Sequence, residues 1–596
     1  MPPEQHAVVV AGPGTGKTTK LAKRARWLVG QCGVLPEQIA LLTFTNSTTR
    51  HLQTKIPELK ASTVHSFALY HLNAIGESAN RRIADEWEQD ELIRRDLCLV
   101  AAQEDVKVGL KAAADFLRRL GAGFREGQEQ PPQLSVEEQI LRRAWLFLRG
   151  FLGFRLFDEL AYDLLRSLEQ GGRLKHPPRV ILVDEYQDLT PCELALLKRI
   201  SEVHCTAVFV CGDDRQSING FRDADPRGLN NFCRLYGVAR PWYLSTSYRC
   251  PRLICEFAES IAQRIPPVQG LEDRPKLSPH PDSPHTGTIR ITIHKSVQAE
   301  AKWLHREVSN LLQQGVAPSQ IMVVVARDVD VYVNLLNRHA GQDNYYDPRS
   351  GAKIADSMPF RTIYALARVA LDKNDLLAWR TLMQLGGFRP PRMRQVFTAG
   401  KHSLLSALRA RIDSDEEVRR WFEATEEAIA RLQQLEEPGD SVAIAEEWFT
   451  VSGKAKSDFT AVNAMLHASL SPTGRTMLEN LEELLRTMAT DPQDASPDSQ
   501  RIPVRTIHQA KGLEAEHVFL AGAHDEAFAD VKPADGVRRL YVAVTRASRS
   551  LTISVGRSVR RTPIEHRLGA SYVKLATDLE EVSRSIGITI ECDPDQ

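Results

Sequence analysis

Residues 11–18 read Ala11-Gly12-Pro13-Gly14-Thr15-Gly16-Lys17-Thr18, a glycine-rich turn closing on a lysine and a hydroxyl. Glycines let successive backbone N–H groups converge on an anion, because they reach conformations that a Cβ forbids. Gly12, Gly14, Thr15 and Gly16 would form such a cradle. Lys17 is placed to bind outer phosphates, and Thr18 to put its hydroxyl on Mg²⁺. Ala11 stands where the general pattern has its first glycine. A second run, Asp184-Glu185-Tyr186-Gln187-Asp188, follows the apolar Val180–Val183. Asp184 fits the carboxylate that holds the metal of such a site, and Glu185 the general base that polarises water. Acidic pairs after strands also occur as helix caps. Together with the glycine turn, they point to hydrolysis of a nucleoside triphosphate.

These groups need elements that aim them. Ala7–Val10, Ile39–Leu42, Val180–Val183 and Ala207–Val210 are short, continuous apolar runs. That is the pattern of parallel strands covered on both faces. Apolar residues at Leu21, Ala22, Ala25, Leu28 and Val29 keep helical spacing after Lys17. The first unit therefore reads strand, glycine loop, helix, with the helix N-terminus turned to the phosphate. A second group of strands is expected at Ile289–Ile293, Ile321–Val325, Val518–Leu520 and Leu551–Val555. The first and last of these alternate more, which predicts sheet-edge positions.

Charged, helix-rich stretches lie at about 81–155 and 356–500, and runs such as Asp413–Glu417 and Glu426–Glu437 read as solvated helix faces. Pro266-Pro267, residues 279–284 and residues 491–499 read as joints. The layout predicts an α/β chain with two cores, each interrupted by a mostly helical insertion.

Composition narrows the partners. The 596 residues are 42% hydrophobic and 26% charged, so a folded chain of several domains is expected rather than disorder. Lys plus Arg and Asp plus Glu are both 76, which excludes a binder driven by bulk charge and leaves room for a local basic groove. No apolar run is long enough to span a membrane and the N-terminus lacks a signal-peptide pattern, so no membrane partner and a cytoplasmic location are expected. The nine cysteines form no Cys-x-x-Cys pair and read as buried free thiols.

Further runs, in order, carry a resemblance. They are Leu42-Thr43-Phe44-Thr45-Asn46; Thr63-Val64-His65-Ser66-Phe67; Gly212-Asp213-Asp214-Arg215-Gln216-Ser217-Ile218 with Gly220-Phe221-Arg222; Ser247-Tyr248-Arg249; Thr506 to Glu514; and Arg538 to Ala547. With the glycine loop and the acidic run, the chain resembles the superfamily 1 DNA helicases of the UvrD/Rep/PcrA type. The two insertions carry almost none of the likeness.

The resemblance implies two RecA-like P-loop cores with parallel sheets and ATP bound between them. It divides the chain into a first core at 1–80 and 156–245 around an insertion at 81–155. The second core takes 246–355 and 501–596 around an insertion at 356–500. Gln216 resembles the residue that senses the outer phosphate. Arg249 and Arg546 resemble arginines reaching in from the second core, where a guanidinium finger is worth about 10³–10⁵ in rate. Tyr248 resembles the tyrosine that stacks on the base, and Glu514 a residue near the ribose.

On the DNA side, Phe44 and Phe221 match aromatic positions facing a single strand, and Asn46 and Arg222 flank them in the same runs. His65 and His508 match polar positions near the DNA backbone. Core packing is the alternative for the phenylalanines, and a cap or core role for the histidines.

The sequence departs from the family pattern in places. Gln5 lies only twelve positions before Lys17, closer than the family's adenine-reading glutamine. Asn219 stands where tyrosine is frequent, Phe221 where tryptophan is, and Ala515 where an aromatic is usual. Gly386 to Arg392 is the nearest candidate for a duplex-contacting hairpin, with a simple loop as the alternative reading.

The resemblance implies an ATP- and Mg²⁺-dependent 3′-to-5′ helicase and translocase acting on single-stranded DNA and single/double-strand junctions. The tail after Arg546 is short for a nuclease domain, so nuclease activity is expected only from a partner chain. The alternative is a nucleic-acid-sensing ATPase subunit that regulates a partner nuclease or effector, as in an antiphage pair such as Gabija.

Overall fold

Five apolar residues, Ala7–Ala11, form the buried strand β1 that ends at the glycine loop. Around it lie β2 (Ile39–Thr43), β3 (Ala61–Thr63), β4 (Val180–Val183), β5 (Ala207–Gly212) and β6 (Trp242–Leu244). The structure is a computed structural model. It describes residues 2–592 except 77–80, 105, 130–133, 221–223, 225–227, 267, 269, 272, 350–353, 399–402, 453–456, 470–475, 491–499, 525–527, 529–532, 557–587 and 589.

The first sheet is parallel throughout, in the order β3-β2-β4-β5-β1-β6. The neighbours β4, β5 and β1 stay in step at their C-terminal ends: Val183 pairs with Val210, and Val10 with Gly212. The glycine loop, the acidic run and the run from Gly212 therefore emerge side by side, where open α/β sheets bind ligands. Helix α1 (Lys17–Cys32) buries Leu21, Ala22, Ala25 and Leu28, the predicted face, against the sheet core.

The second sheet is also parallel. Its strands are β7 (Thr288–His294), β8 (Ile321–Val325), β9 (Tyr345–Tyr346), β10 (Ile502–Thr506), β11 (Ala515–Ala521), β12 (Ala547–Gly556) and β13 (Ile590–Cys592). Their order is β9-β10-β8-β11-β12-β7-β13. The expected edge positions of 289–293 and 551–555 are corrected here. β12 lies between β11 and β7, and β7 between β12 and the three-residue β13. The alternation in β7 reflects one well-paired flank and one short one, with Ile291, Thr292 and His294 buried.

By contacts the chain divides into two units. One takes residues 1–67, 167–348 and 498–596 and holds both sheets. The other takes 68–166 and 349–497, so both helical insertions fall in a single unit. Buried ion pairs join its two halves. Arg380 forks onto Asp96, with Nε to Oδ2 at 2.8 Å and Nη2 to Oδ1 at 2.7 Å. Arg361 donates to Asp85, and Asp375 accepts from Arg82 and Arg368. A fork of this kind holds geometry as well as charge. Such pairing is invisible to a reading of each helix face alone.

Gly386 and Gly387 end the helix Leu376–Leu385, and Pro390 begins the next. A Cβ at Gly386 would lie 2.3 Å from Nε1 of Trp421, and Phe388 is buried against the same ring. The segment is an inter-helix turn, as the simpler reading expected. Of the cysteines, Cys192, Cys211, Cys250 and Cys255 are buried, but Cys205 is exposed at a helix end, contrary to the expectation of buried thiols throughout.

Candidate active site

The glycine loop is shaped by its neighbours as much as by its own sequence. Gly14 and Gly16 have φ of 68° and 84°, the left-handed region open to glycine. A Cβ on Gly14 would come within 2.5 Å of the Cβ of Arg249 and 2.7 Å of Oγ of Ser247. The Ser247–Arg249 turn packs directly on the loop: Ser247 Oγ donates to the Pro13 carbonyl at 3.0 Å, and the Tyr248 N–H to the Gly14 carbonyl at 2.9 Å. The Thr15 hydroxyl closes the loop onto the Gly12 carbonyl at 2.8 Å. Lys17 lies across it, with Nζ donating to the Ala11 carbonyl at 3.3 Å.

Thr18 Oγ1 donates to Asp184 Oδ2 at 3.0 Å, joining β1's loop to the end of β4. Burial first, then the charge of Glu185, pushes the Asp184 pKa up to about 7. A cation beside it would relieve both effects. The donors are a hydroxyl and a carboxylate, hard oxygens suited to Mg²⁺ with water filling its remaining positions. The residues thus fit the metal.

Glu185 occupies a left-handed backbone conformation, φ 52° and ψ 43°, which costs a non-glycine residue energy and is concentrated at functional sites. Its Oε2 accepts from Gln187 Nε2 at 2.7 Å. Burial opposes its charge, but Lys17 and Lys511 outweigh that and hold its pKa below the usual value. Gln187 also accepts the Asp213 N–H at 2.9 Å, tying the loops after β4 and β5 together.

The second sheet's residues meet this edge. Arg546 is 1% exposed and donates from Nη2 to Gln216 Oε1 at 3.0 Å, from Nε to the Val542 carbonyl and from Nη1 to the Leu513 carbonyl. Burial, and after it the neighbouring Arg249, pushes the Arg546 pKa down. An anion between the two guanidinium groups would offset both. Arg249 pairs with Glu514, and its Nη1 reaches the Thr545 carbonyl. Tyr248 is 70% exposed beside the loop, with its ring 4.5 Å from that of His280.

The site residues Gly12, Gly14, Thr15, Gly16, Lys17, Thr18, Asp184, Glu185, Gln216, Tyr248, Arg249, Glu514 and Arg546 therefore converge on one region. Two groups absent from the expected roles belong there too. Lys511 bridges the sheets, with Nζ to Asp188 Oδ2 at 2.5 Å and to the Gln216 carbonyl at 2.7 Å. It sits within a recognisable run, but its partner lies 323 residues away. Arg274 lies in no motif run; it pairs with Asp213 and Asp214.

Phe44 is half-buried, and Asn46 is exposed at the start of the helix Asn46–Lys55. His65 Nδ1 lies 3.3 Å from the buried Glu193, and His508 Nε2 lies 3.2 Å from the Ile218 carbonyl, so both rings have protein partners. Asn219 is buried. Phe221 and Arg222 lie outside the described residues.

Among the described residues no helix is long and apolar enough to cross a membrane. The family model described as an AAA domain matches residues 2–222, and that of the UvrD-like helicase C-terminal domain matches residues 327–558. The ATP-dependent DNA helicase srs2 of Schizosaccharomyces pombe is 22% identical over 94% of this chain and 71% of its own length. The ATP-dependent DNA helicase PcrA of Staphylococcus epidermidis is 23% identical over 92% of this chain and 81% of its own. The DNA helicase II of Rickettsia typhi is 23% identical over 92% of this chain and 89% of its own.

Proposed function

The chain belongs to the UvrD/Rep/PcrA type of superfamily 1 DNA helicases, which hydrolyse ATP, and we propose that it is a 3′-to-5′ translocase and helicase on single-stranded DNA. The observation that carries the hydrolytic part is the contact of Arg546 with Gln216 beside the glycine loop. It brings a guanidinium that precedes one sheet's strand into contact with an amide that follows a strand of the other.

In this reading the loop N–H groups and Lys17 bind the β- and γ-phosphates. Thr18 and Asp184 would hold Mg²⁺, which neutralises charge on the phosphate oxygens when bound. Glu185 takes a proton from water as the water oxygen attacks the γ-phosphorus and the bond to the ADP oxygen breaks. Gln216, Arg249 and Arg546 stabilise charge on the transferred group, which makes turnover depend on approach of the two cores. Tyr248 offers its exposed ring to the base. Arg249 and Glu514 are paired, so nucleotide binding re-partners them. Phe44, Asn46, His65, Phe221, Arg222 and His508 are proposed to contact the strand, by stacking or by polar contact with its backbone.

Strand displacement tests the polarity. Duplexes with a 3′ single-stranded tail should be unwound with ATP and Mg²⁺, while 5′-tailed duplexes should not. Equal unwinding of both would remove the 3′-to-5′ assignment. ATP turnover without displacement, in a chain that co-purifies with a nuclease, would favour the regulatory-subunit reading.

A further inference from the structure

Arg274 falls between the two family-model matches, which end at 222 and resume at 327. Its side chain is 7% exposed. Nη1 lies 2.8 Å from Asp213 Oδ1 and 2.7 Å from Asp214 Oδ1. The other oxygen of Asp213 accepts from Gln216 Nε2 at 2.6 Å. The Gln216 oxygen, Oε1, accepts from Arg546 at 3.0 Å. Four residues from three stretches of sequence thus form one hydrogen-bonded line.

That line has a direction. A side-chain amide can present either its oxygen or its NH₂, and the partner of one end decides the other. An ionised Asp213 only accepts, so it takes the NH₂ and turns the oxygen outward. Arg546 only donates, so it needs that oxygen. A protonated Asp213 could instead donate to the amide oxygen and set the NH₂ against the guanidinium. What keeps Asp213 ionised therefore sets the amide. Asp213 is fully buried, and burial opposes its charge; Arg274, followed by Lys17, overcomes this and brings its pKa down to about 2.

The same segment grips this loop elsewhere. Arg215 pairs with Glu259 at 2.9 Å, and Glu259 also accepts the Leu277 N–H at 2.8 Å. Leu277 in turn reaches the glycine loop, where a Cβ on Gly12 would lie 2.8 Å from its Cδ1.

We propose that Arg274 is a positioning residue for ATP hydrolysis: through Asp213 it fixes the Gln216 amide so that its oxygen meets Arg546 of the second core. The proposal rests on the reading of Gln216 and Arg546 as phosphate-facing groups.

The test is steady-state ATP hydrolysis with single-stranded DNA by the full chain, with melting temperatures measured in parallel. The variants are Arg274→Met, Arg274→Lys, Gln216→Ala and the double variant Arg274→Met/Gln216→Ala. Arg274→Met should lower kcat by about tenfold or more with KM changed by less than about threefold. Arg274→Lys should regain most of the loss, because it restores the charge. The double variant should be no slower than Gln216→Ala, since residues acting in series are not additive. Losses that multiply in the double variant overturn the proposal, as does an Arg274→Met kcat within about twofold of wild type. If Arg274→Met does not fold, Asp213→Asn reads the same line: it should reproduce the kcat of Gln216→Ala at an unchanged melting temperature, and a wild-type kcat overturns the proposal. A wild-type kcat in Gln216→Ala itself would instead remove the phosphate-sensing reading, and the proposal with it.

Discussion

Arg546 Nη2 donates to Gln216 Oε1 at 3.0 Å, joining residues 330 positions apart in the chain. One stands at the start of β12 and the other just past β5, so the contact joins the strand ends of the two sheets. Arg546 has buried its charge and lies near a second arginine, Arg249, an arrangement that favours an anion between them. Under the proposed function, the pair is where bound nucleotide would register the approach of the cores.

Loss of Arg546 should affect turnover more than binding. Arg546→Ala is expected to lower DNA-stimulated kcat by about 10²-fold or more, with ATP affinity changed far less. Steady-state kinetics with a nucleotide-binding titration check this. A kcat within a few-fold of wild type would show that the guanidinium does not act on the transferred group.

Glu185 is held ionised by Lys17 and Lys511 against its burial, and its strained backbone leaves little freedom to adjust. Glu185→Gln keeps shape and loses basicity. It should retain ATP and Mg²⁺ binding while turnover falls by at least about 10²-fold. Lys17→Ala should instead weaken nucleotide binding itself. Equal turnover in wild type and Glu185→Gln would sink the general-base role.

The helical unit depends on its buried charge pairs. Arg380 and Asp96 are 1% and 0% exposed. Arg380→Met leaves the Asp96 carboxylate buried without its fork and should cost about 3–5 kcal/mol of stability. Arg380→Met/Asp96→Leu, which removes both charges, should recover most of that. Urea unfolding of the four proteins completes the cycle. Equal loss in single and double variants would contradict the pairing.

His6 gives the first sheet a pH dependence. Its Nδ1 accepts the Val208 N–H at 3.0 Å, which requires the neutral ring. Burial, followed by Lys198, lowers its pKa in the folded state. A group with a depressed folded pKa contributes stability that is full above its unfolded pKa, about 6.5, and is lost as pH falls towards the folded value. The melting temperature should thus drop faster below about pH 6.5 in wild type than in His6→Phe. Parallel curves for the two proteins would contradict this.

Much of the candidate site was legible in the sequence because the chemistry proposed for it is local. The glycine loop, Asp184 and Glu185 each sit at a strand end, and apolar runs of four or five residues mark those strands. A strand end positions the next few residues whatever the rest of the chain does. Arg249, Gln216, Glu514 and Arg546 were legible only through the resemblance, since nothing in their local spacing says they meet.

The tertiary structure decided what joins distant segments. Lys511 pairs with Asp188, Arg274 with Asp213, and Arg380 with Asp96, and nothing in the sequence around any of them names its partner. On base rates each would be solvated, because an isolated charge is costly to bury. Only a partner placed by folding repays that cost, and no periodicity encodes a partner tens to hundreds of residues away. For the same reason the two insertions read as separate helical stretches in the sequence, whereas paired charges such as Arg380 and Asp96 join them in one unit.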